Sequence, residues 1–375
     1  MSAVPELLYQ LALTMVPEIG AVHAKILLEH FAAEEIFRLP TARLEKIDGI
    51  GTVRAGQIKA FRDFSRAEQE LRFLEKHGIR ALPLTHPDYP RRLLHCYDPP
   101  TVLFCKGEVN LNAPRVISVV GTRNYTDYGK NRVQDLIGKL TGQQILVVSG
   151  LAFGIDFLAH QSALRNGIPT VGIVAHGLQT IYPYQHRGLA KQMLQEGGGL
   201  VTQFLSGTKP DKHNFPLRNR IVAGMADATI IVETGIRGGS MITAELANGY
   251  NRDVFAVPGR VDDPKSGGCN ELIRTNKAIL LTGAEQLLET MGWKEKAPRP
   301  AIPQRELFLQ LTNEEEAVVS ALREFQPLHV DELMARSGLS HSAGAAAILQ
   351  LELQGWIRGG PGNMFELAEA GVVRR

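Results

Sequence analysis

Residues 144–176 read "QILVVSGLAFGIDFLAHQSALRNGIPTVGIVAH". A β-branched run, a Ser-Gly turn, a segment of helical length and a second apolar run follow one another, which is how a strand, a crossover helix and a parallel strand are written in sequence. The alternation extends in both directions. "RVISVVGT" (115–122) precedes it, and "GLVTQF" (199–204), "ATIIVET" (228–234) and "DVFAVPG" (253–259) follow, mostly separated by helical lengths. Unbroken apolar strands are buried on both faces, so the middle of the chain predicts an α/β fold: a Rossmann-like, doubly wound, mostly parallel sheet.

Upstream, "LPLTHPDYPRRLLHCYDPPTVLFCKGE" (82–108) is punctuated by proline and predicts a connector with short strands. Before it lies an internal repeat. "VPEIGAVHAKILLEHF" (16–31) aligns without gaps on "IDGIGTVRAGQIKAFR" (47–62), with Ile19 over Ile50, Gly20 over Gly51, Val22 over Val53 and Ala24 over Ala55. The repeated unit is helix, tight turn, helix. Gly49-Ile50-Gly51 permits positive φ angles and backbone N–H groups that face a phosphate at a helix start, as in a helix-hairpin-helix or SAM-like module. The first copy has Glu18 where the first turn glycine belongs, and its carboxylate repels phosphate. A small helical domain that kept the fold and lost most of the binding is the competing expectation.

Downstream, "WKEKAPRPAIPQRE" (293–306) is charged and Pro-rich, the composition of a linker. "TNEEEAVVSALREF" opens with a Thr312-x-x-Glu315 capping box, "HVDELMARSGL" and "SHSAGAAAILQLELQG" give two further helices, and "WIRGGPGNMFEL" gives a hairpin. Three helices and a hairpin predict a winged helix. The expected domains are therefore 1–79, helical; 80–290, Rossmann-like; 291–306, linker; and 307–375, winged-helix-like.

The chain of 375 residues is 44% hydrophobic with a net charge of +2. Cys96, Cys105 and Cys269 show no C-x-x-C spacing and are odd in number, so neither a zinc site nor a disulfide framework is indicated, and a reducing cytoplasm is expected. The N-terminal residues lack the pattern of a secretion signal, and no apolar run is long enough to span a membrane. Charge is partitioned. Residues 1–79 carry 10 Lys+Arg against 11 Asp+Glu, residues 80–290 carry 22 against 17, and residues 307–370 carry 3 against 9. A polyanion is thus to be sought in the middle segment. The last helix of the winged domain, residues 341–354, has no Lys or Arg, so groove reading there would meet repulsion at each phosphate, and a protein-binding or regulatory role is expected.

In doubly wound sheets, ligands bind beyond the carboxyl ends of the strands. The segments there are Gly121-Thr122-Arg123, Ser149-Gly150 with Gly154, the stretch from Lys212 to Arg220 ("KHNFPLRNR"), and Gly235 to Ser240, including Gly239. All are Gly-rich, hydroxylic or basic, which suits phosphate oxygens. A dinucleotide is not expected, because "GTRNYTDYG" fails the G-x-G-x-x-G pattern, and no cofactor is called for. "ETGIRGGSMITAE" (233–245) is partly similar to the lysine-decarboxylase-like nucleotide phosphoribohydrolases, with Glu233 and Glu245 as a possible acid–base pair; Glu245 also suits a helix with local ion pairs. Asp156 and His160 have the look of a catalytic dyad, but without a nucleophile nearby they are expected to cap and pack.

Taken in order, "VVGTRNYTDYG", "VVSGLAFGIDFLAH", "NFPLRNRIVAGMADATIIVE", "GGSMITAELA" and "VFAVPG" followed by "SGGCNELI" resemble the signature segments of the DNA-processing protein A family (DprA, also called Smf) over about residues 80–290. The resemblance implies a non-enzymatic protein that binds incoming single-stranded DNA in natural transformation, protects it, helps to load the RecA recombinase, and forms a homodimer through its Rossmann domain. It further implies that Lys212 contacts phosphate, Phe215 a base and Arg123 another phosphate, with Arg218, Asn219 and Arg220 as neighbouring candidates. Single-strand binders need both kinds of contact: cations for the backbone and flat faces for unstacked bases. A helix is expected to start at Ile221, and Arg218 or Arg220, which flank that start, pairing with Asp156 or Asp227, and Phe215 packing in the core, are the structural alternatives. A nucleotide-hydrolysing enzyme and a duplex-binding helix-hairpin-helix protein are the functional ones.

Overall fold

Nine strands form one sheet in the computed structural model, which describes residues 3–294 and 311–368. They are β1 (Arg80–Pro83), β2 (Val102–Lys106), β3 (Arg115–Gly121), β4 (Ile145–Ser149), β5 (Thr170–Ile173), β6 (Gly199–Thr202), β7 (Ala228–Val232), β8 (Asp253–Ala256) and β9 (Ile279–Leu280), in the order β1-β2-β6-β5-β4-β3-β7-β8-β9. The six strands expected from the apolar runs are β3 to β8, all paired in parallel. Proline-flanked β1 and β2 do more than connect, since β2 pairs antiparallel with β6 and β1 with β2, extending the sheet. The short edge strand β9 was not legible as an apolar run.

Along β3, alternate side chains serve two cores: Val116 and Val120 join the cluster on one face, Ile117 and Val119 the cluster on the other. Between them, Ser118 Oγ donates to Thr229 Oγ1 at 2.8 Å, so this polar position facing across β3 and β7 is paired. The chain runs outward from β3 through β4, β5 and β6, then resumes on the other side at β7. That reversal between β3 and β7 is the switch point of the sheet, and it opens a crevice at their carboxyl ends.

Helices Ala3–Leu13, Ala21–His30, Ala33–Arg38, Thr41–Leu44, Gly51–Ala60 and Ser65–His77 precede the sheet. The repeat is real at the level of the backbone: Glu18 and Gly49, which align, both have positive φ (63° and 81°). Arg54 donates to both turn carbonyls, Glu18 O at 3.3 Å and Gly49 O at 3.0 Å, and so ties the two hairpins together. The helical segment shares a core with the sheet, Leu74 and Ile79 lying in one cluster with Val102 and Phe104. A buried carboxylate reinforces the junction. Glu70 accepts from Ser206 N at 2.9 Å and Ser206 Oγ at 2.5 Å and pairs with Arg66 at 2.9 Å.

The chain divides into two units, residues 1–294 and 295–375. In the second, helices Asn313–Glu324, Val330–Ser337 and His341–Leu353 pack with a sheet of β10 (Leu328–His329), β11 (Ile357–Gly360) and β12 (Met364–Leu367), ordered β10-β12-β11. The Thr312/Glu315 capping box is formed, and Val318, Leu322, Leu333 and Leu351 make the core. This is the expected winged helix with one additional strand, β10. Most of the expected linker, from residue 295, lies outside the described residues.

Candidate nucleic-acid interface

The crevice at the switch point is a cavity of about 490 Å³. Its walls include Gly121, Thr122 and Arg123 at the end of β3, Gly239 and Ser240 after β7, and Lys212, Phe215, Arg218 and Asn219. The last three belong to a helix that begins at Asn214, seven residues before the start expected at Ile221. Pro216 falls in its first turn, where a missing N–H costs no helical hydrogen bond. The helix start is fixed by Asn214, whose amide donates to Ala175 O and Lys209 O at 3.2 Å, and by Asp211, which accepts from His213 N at 2.8 Å.

Helical spacing then decides which side chains reach the crevice. Residues 215, 218 and 219 share one face, whereas residue 220 is turned away. Phe215 is half-buried, and its ring centroid lies 5.3 Å from the Arg123 guanidinium carbon and 6.0 Å from that of Arg218. Lys212 is exposed at the helix entrance.

Arg218 is the unusual member of the set. It is 5% exposed, yet among the described residues it has no hydrogen-bond partner: its Nε–H is buried and unmatched, and its one ion-pair partner, Asp156, stands off at 3.8 Å. Burial pulls both groups toward neutrality, lowering Arg218 and raising Asp156, and each is opposed by the other's charge. Asp156 is better provided for, accepting from Gly150 N at 3.1 Å and Ala152 N at 3.4 Å. Gly150 is a glycine for a steric reason. A Cβ there would fall 1.3 Å from Arg218 Nη1. A buried guanidinium with unused donors on the wall of a solvent-open cavity is an incomplete site for an oxyanion.

The remaining candidates take supporting places. Gly154 caps the helix Ile155–Arg165 with φ +86° and lies against the Thr122–Arg123 backbone, holding the two loops together. Ser149 is fully buried and donates to Val119 O at 2.7 Å, away from the cavity. Arg220 also lies off the cavity with its donors occupied, by Asp98 O at 2.5 Å, Asp98 Oδ2 at 3.2 Å, Gln203 Oε1 at 2.5 Å and Leu217 O at 3.2 Å. For Arg220 the anticipated partner, Asp156 or Asp227, is corrected to Asp98, Asp227 being taken by Arg92 at 2.6 Å, whereas the alternative of Arg218 facing Asp156 is met.

Glu233 is buried with positive φ and accepts from Thr126 N at 2.9 Å and from Thr126 Oγ1, so it fastens the loop that carries Arg123. Glu245 is exposed on its helix, as expected, and its ion pair is with the distant Lys277 at 3.5 Å, not with a neighbour on the helix. Neither arrangement makes an acid–base pair. His160 is fully buried, bonded through Nδ1 to Thr170 Oγ1 at 2.7 Å, and pushed down to about 3 by burial and the nearby His186 and Arg218. Asp156 braces the Gly150–Ala152 loop instead of capping its helix. Sequence reasoning missed Thr234 and Thr243, which also line the cavity. Their signal was the hydroxyl density of residues 234–243.

The family model described as DNA recombination-mediator protein A matches residues 80–292, and the DprA winged helix domain matches residues 296–363. The chain is 34% identical to the protein Smf of Escherichia coli K12, covering 89% of this chain and 91% of that one. In three dimensions it is similar to DNA processing protein A from Streptococcus pneumoniae, at 31% identity and a TM-score of 0.64 over 77% of this chain and 98% of that chain. It is similar also to DNA processing protein A from Helicobacter pylori, whose structure describes a single-stranded DNA binding mode, at 28% identity and a TM-score of 0.52 over 57% and 95%. The cation-lined crevice at the β3–β7 switch point thus stands in a chain that belongs to the DNA recombination-mediator protein A (DprA/Smf) family.

Proposed function

We propose that the crevice binds single-stranded DNA, with Arg123, Lys212 and Arg218 on successive phosphates and Phe215 under a base. The observation that carries this reading is the buried guanidinium of Arg218, whose Nε–H has no hydrogen-bond partner among the described residues. A phosphate supplies the acceptors it lacks, and the flanking ring gives the flat face that unstacked bases take without sequence preference. The biological role is that of the family: protection of incoming single strands in transformation and assistance to RecA loading, in the cytoplasm and without enzymatic turnover. Homodimerisation through the Rossmann domain has a physical candidate in β9. Ile279 and Leu280 are each 39% exposed on this edge strand, which offers unpaired backbone to a second copy.

The test is a fluorescence-anisotropy titration with labelled oligothymidine, competed by unlabelled single strand and by duplex of equal length. Single strand should compete far better. Lys212→Ala and Arg123→Ala should weaken binding and flatten its salt dependence, by about 0.7 in log–log slope per lost phosphate contact. Phe215→Ala should weaken binding with the slope intact. Equal competition by duplex, or equal slopes in all three variants, overturns the assignment.

A further inference from the structure

The Phe215 ring is one end of a row of exposed aromatic side chains that the proposed site does not use. Tyr182 lies 6.4 Å from it, centroid to centroid. Tyr182 is 48% exposed, Tyr184 70% and Phe153 43%; among the described residues only six aromatic side chains are so exposed, and three are these. Tyr182 and Tyr184 flank the buried Pro183, so at most about 7 Å of extended chain separates their backbones. The Arg187 guanidinium carbon stands 5.0 Å from the centroid of the Tyr184 ring. Lys191, one turn further along the helix Arg187–Gln195 and also exposed, continues the positive charge on that helix.

Two buried histidines hold this row in place. His176 accepts the Tyr182 N–H on Nε2 at 3.2 Å and lies 2.9 Å from Gly177 O through Nδ1, which makes it a neutral latch across the loop. His186 bonds Leu151 O through Nδ1 at 2.9 Å and packs against Phe153 and Phe157, with ring centroids 4.9 Å away in each case. The loops bearing Phe153 and Tyr182 are therefore joined. Large apolar rings held rigidly in water cost solvation without adding to the core, so their placement asks for a flat partner. The dent between Arg123, Phe153, Tyr182 and Phe215 has a volume of only about 20 Å³. A base would lie on these rings and not enter between them.

We propose that Tyr182 and Tyr184, with Arg187 beside them, form a second stacking subsite along which a single strand continues from the Phe215 crevice toward the helix Arg187–Gln195. This rests on the single-strand reading of the crevice. Continuity with that crevice through Tyr182, and the positive charge of Arg187 and Lys191, favour a polynucleotide over an apolar protein partner. The strand then has a direction on the molecule. It leaves the Phe215 site across the 182–184 loop.

The experiment compares wild type with Tyr184→Ala and Tyr184→Phe on oligothymidines stepped from about 4 to about 16 nucleotides at fixed salt. Wild-type affinity should rise with length. Tyr184→Ala should match wild type on the shortest strand and lose roughly tenfold on the longest, as expected for one unstacked base, while Tyr184→Phe retains it. A 2-aminopurine scan along the long strand should show one quenched position that recovers in Tyr184→Ala only. Unchanged affinity at every length overturns the subsite and leaves the crevice standing, and points the exposed rings to a protein partner. Equal losses on short and long strands overturn it also, because Tyr184 would then act through the crevice. Failure of wild type to bind any single strand refutes the parent reading and this one together.

Discussion

Replacing Arg218 by methionine and Asp156 by asparagine separates a structural ion pair from a ligand site, because the two readings predict different signs. At 3.8 Å and an effective dielectric near 20, the pair attracts by about 4 kcal/mol. Burying two ions costs several kcal/mol each, so the pair alone does not repay its own desolvation. A phosphate changes the balance, since each hydrogen bond to a charged partner contributes about 1.5–3 kcal/mol. Arg218→Met should therefore weaken single-strand binding by roughly 10- to 100-fold and lower the salt slope by about 0.7. Asp156→Asn keeps an acceptor for Gly150 N and Ala152 N but removes a negative charge from the cavity wall, so binding should hold or tighten. Both variants should lose stability in urea, by about 1–3 kcal/mol, as each leaves one buried partner behind. Anisotropy titrations at several salt concentrations, beside denaturation curves, give both quantities. If Arg218→Met and Asp156→Asn weaken binding alike, in proportion to their loss of stability, Arg218 is a strut and the phosphate site is elsewhere.

Gly150→Ala should reproduce the Arg218→Met binding defect with the guanidinium still present, because the new Cβ displaces it; wild-type affinity in this variant contradicts the close approach. Glu233→Gln should cost about 1–2 kcal/mol in urea denaturation through the Thr126 contacts, and Glu245→Gln within about 0.5 kcal/mol. Nucleotide cleavage by wild type that either variant abolishes would restore the hydrolase reading. His160, held at about 3 in the folded protein against 6.5 unfolded, binds its proton more readily when unfolded, so its contribution to stability is present above pH 6.5 and lost as pH falls. Between pH 6.5 and 4.5 that loss is about 2 kcal/mol, and a pH series of urea midpoints should flatten on this limb in His160→Asn.

The sheet was legible because a buried strand must be apolar throughout and its crossover must be helical, so the runs from 115 to 259 leave few alternatives. The rim was legible for a related reason, since every loop after a parallel strand points to one edge. Two kinds of information were missing. β9 and β10 are two residues long, too short for any periodicity to register. The fates of Arg218 and Arg220 depend on where the helix begins. With the start set at Ile221, both arginines read as loop cations; with the start at Asn214, they stand on opposite sides, one at the cavity and one against Asp98. Pro216, in the first turn of that helix, lacks an N–H where none is needed and so is compatible with the earlier start.

Partners remote in sequence explain the rest, and the loop before Lys212 shows what they accomplish. Ser206 is bonded by both N and Oγ to Glu70, a residue 136 positions earlier, while Arg66 donates to Ser206 O at 2.6 Å. Sequence offers no reason to pair a helical glutamate near residue 70 with a serine after β6. Yet this contact anchors the chain six residues before Lys212, and Asn214 anchors it two residues after, so an exposed lysine projects from backbone held on both sides. The same construction recurs around the crevice: Glu233 holds the Arg123 loop through Thr126, and Asp156 holds Gly150 beneath Arg218. Carboxylates that resemble catalytic groups in sequence are spent on fixing the loops that carry cations. Preorganised cations lose little conformational entropy when a flexible strand arrives, and that entropy is the main opposing term for a ligand that must itself be ordered on binding.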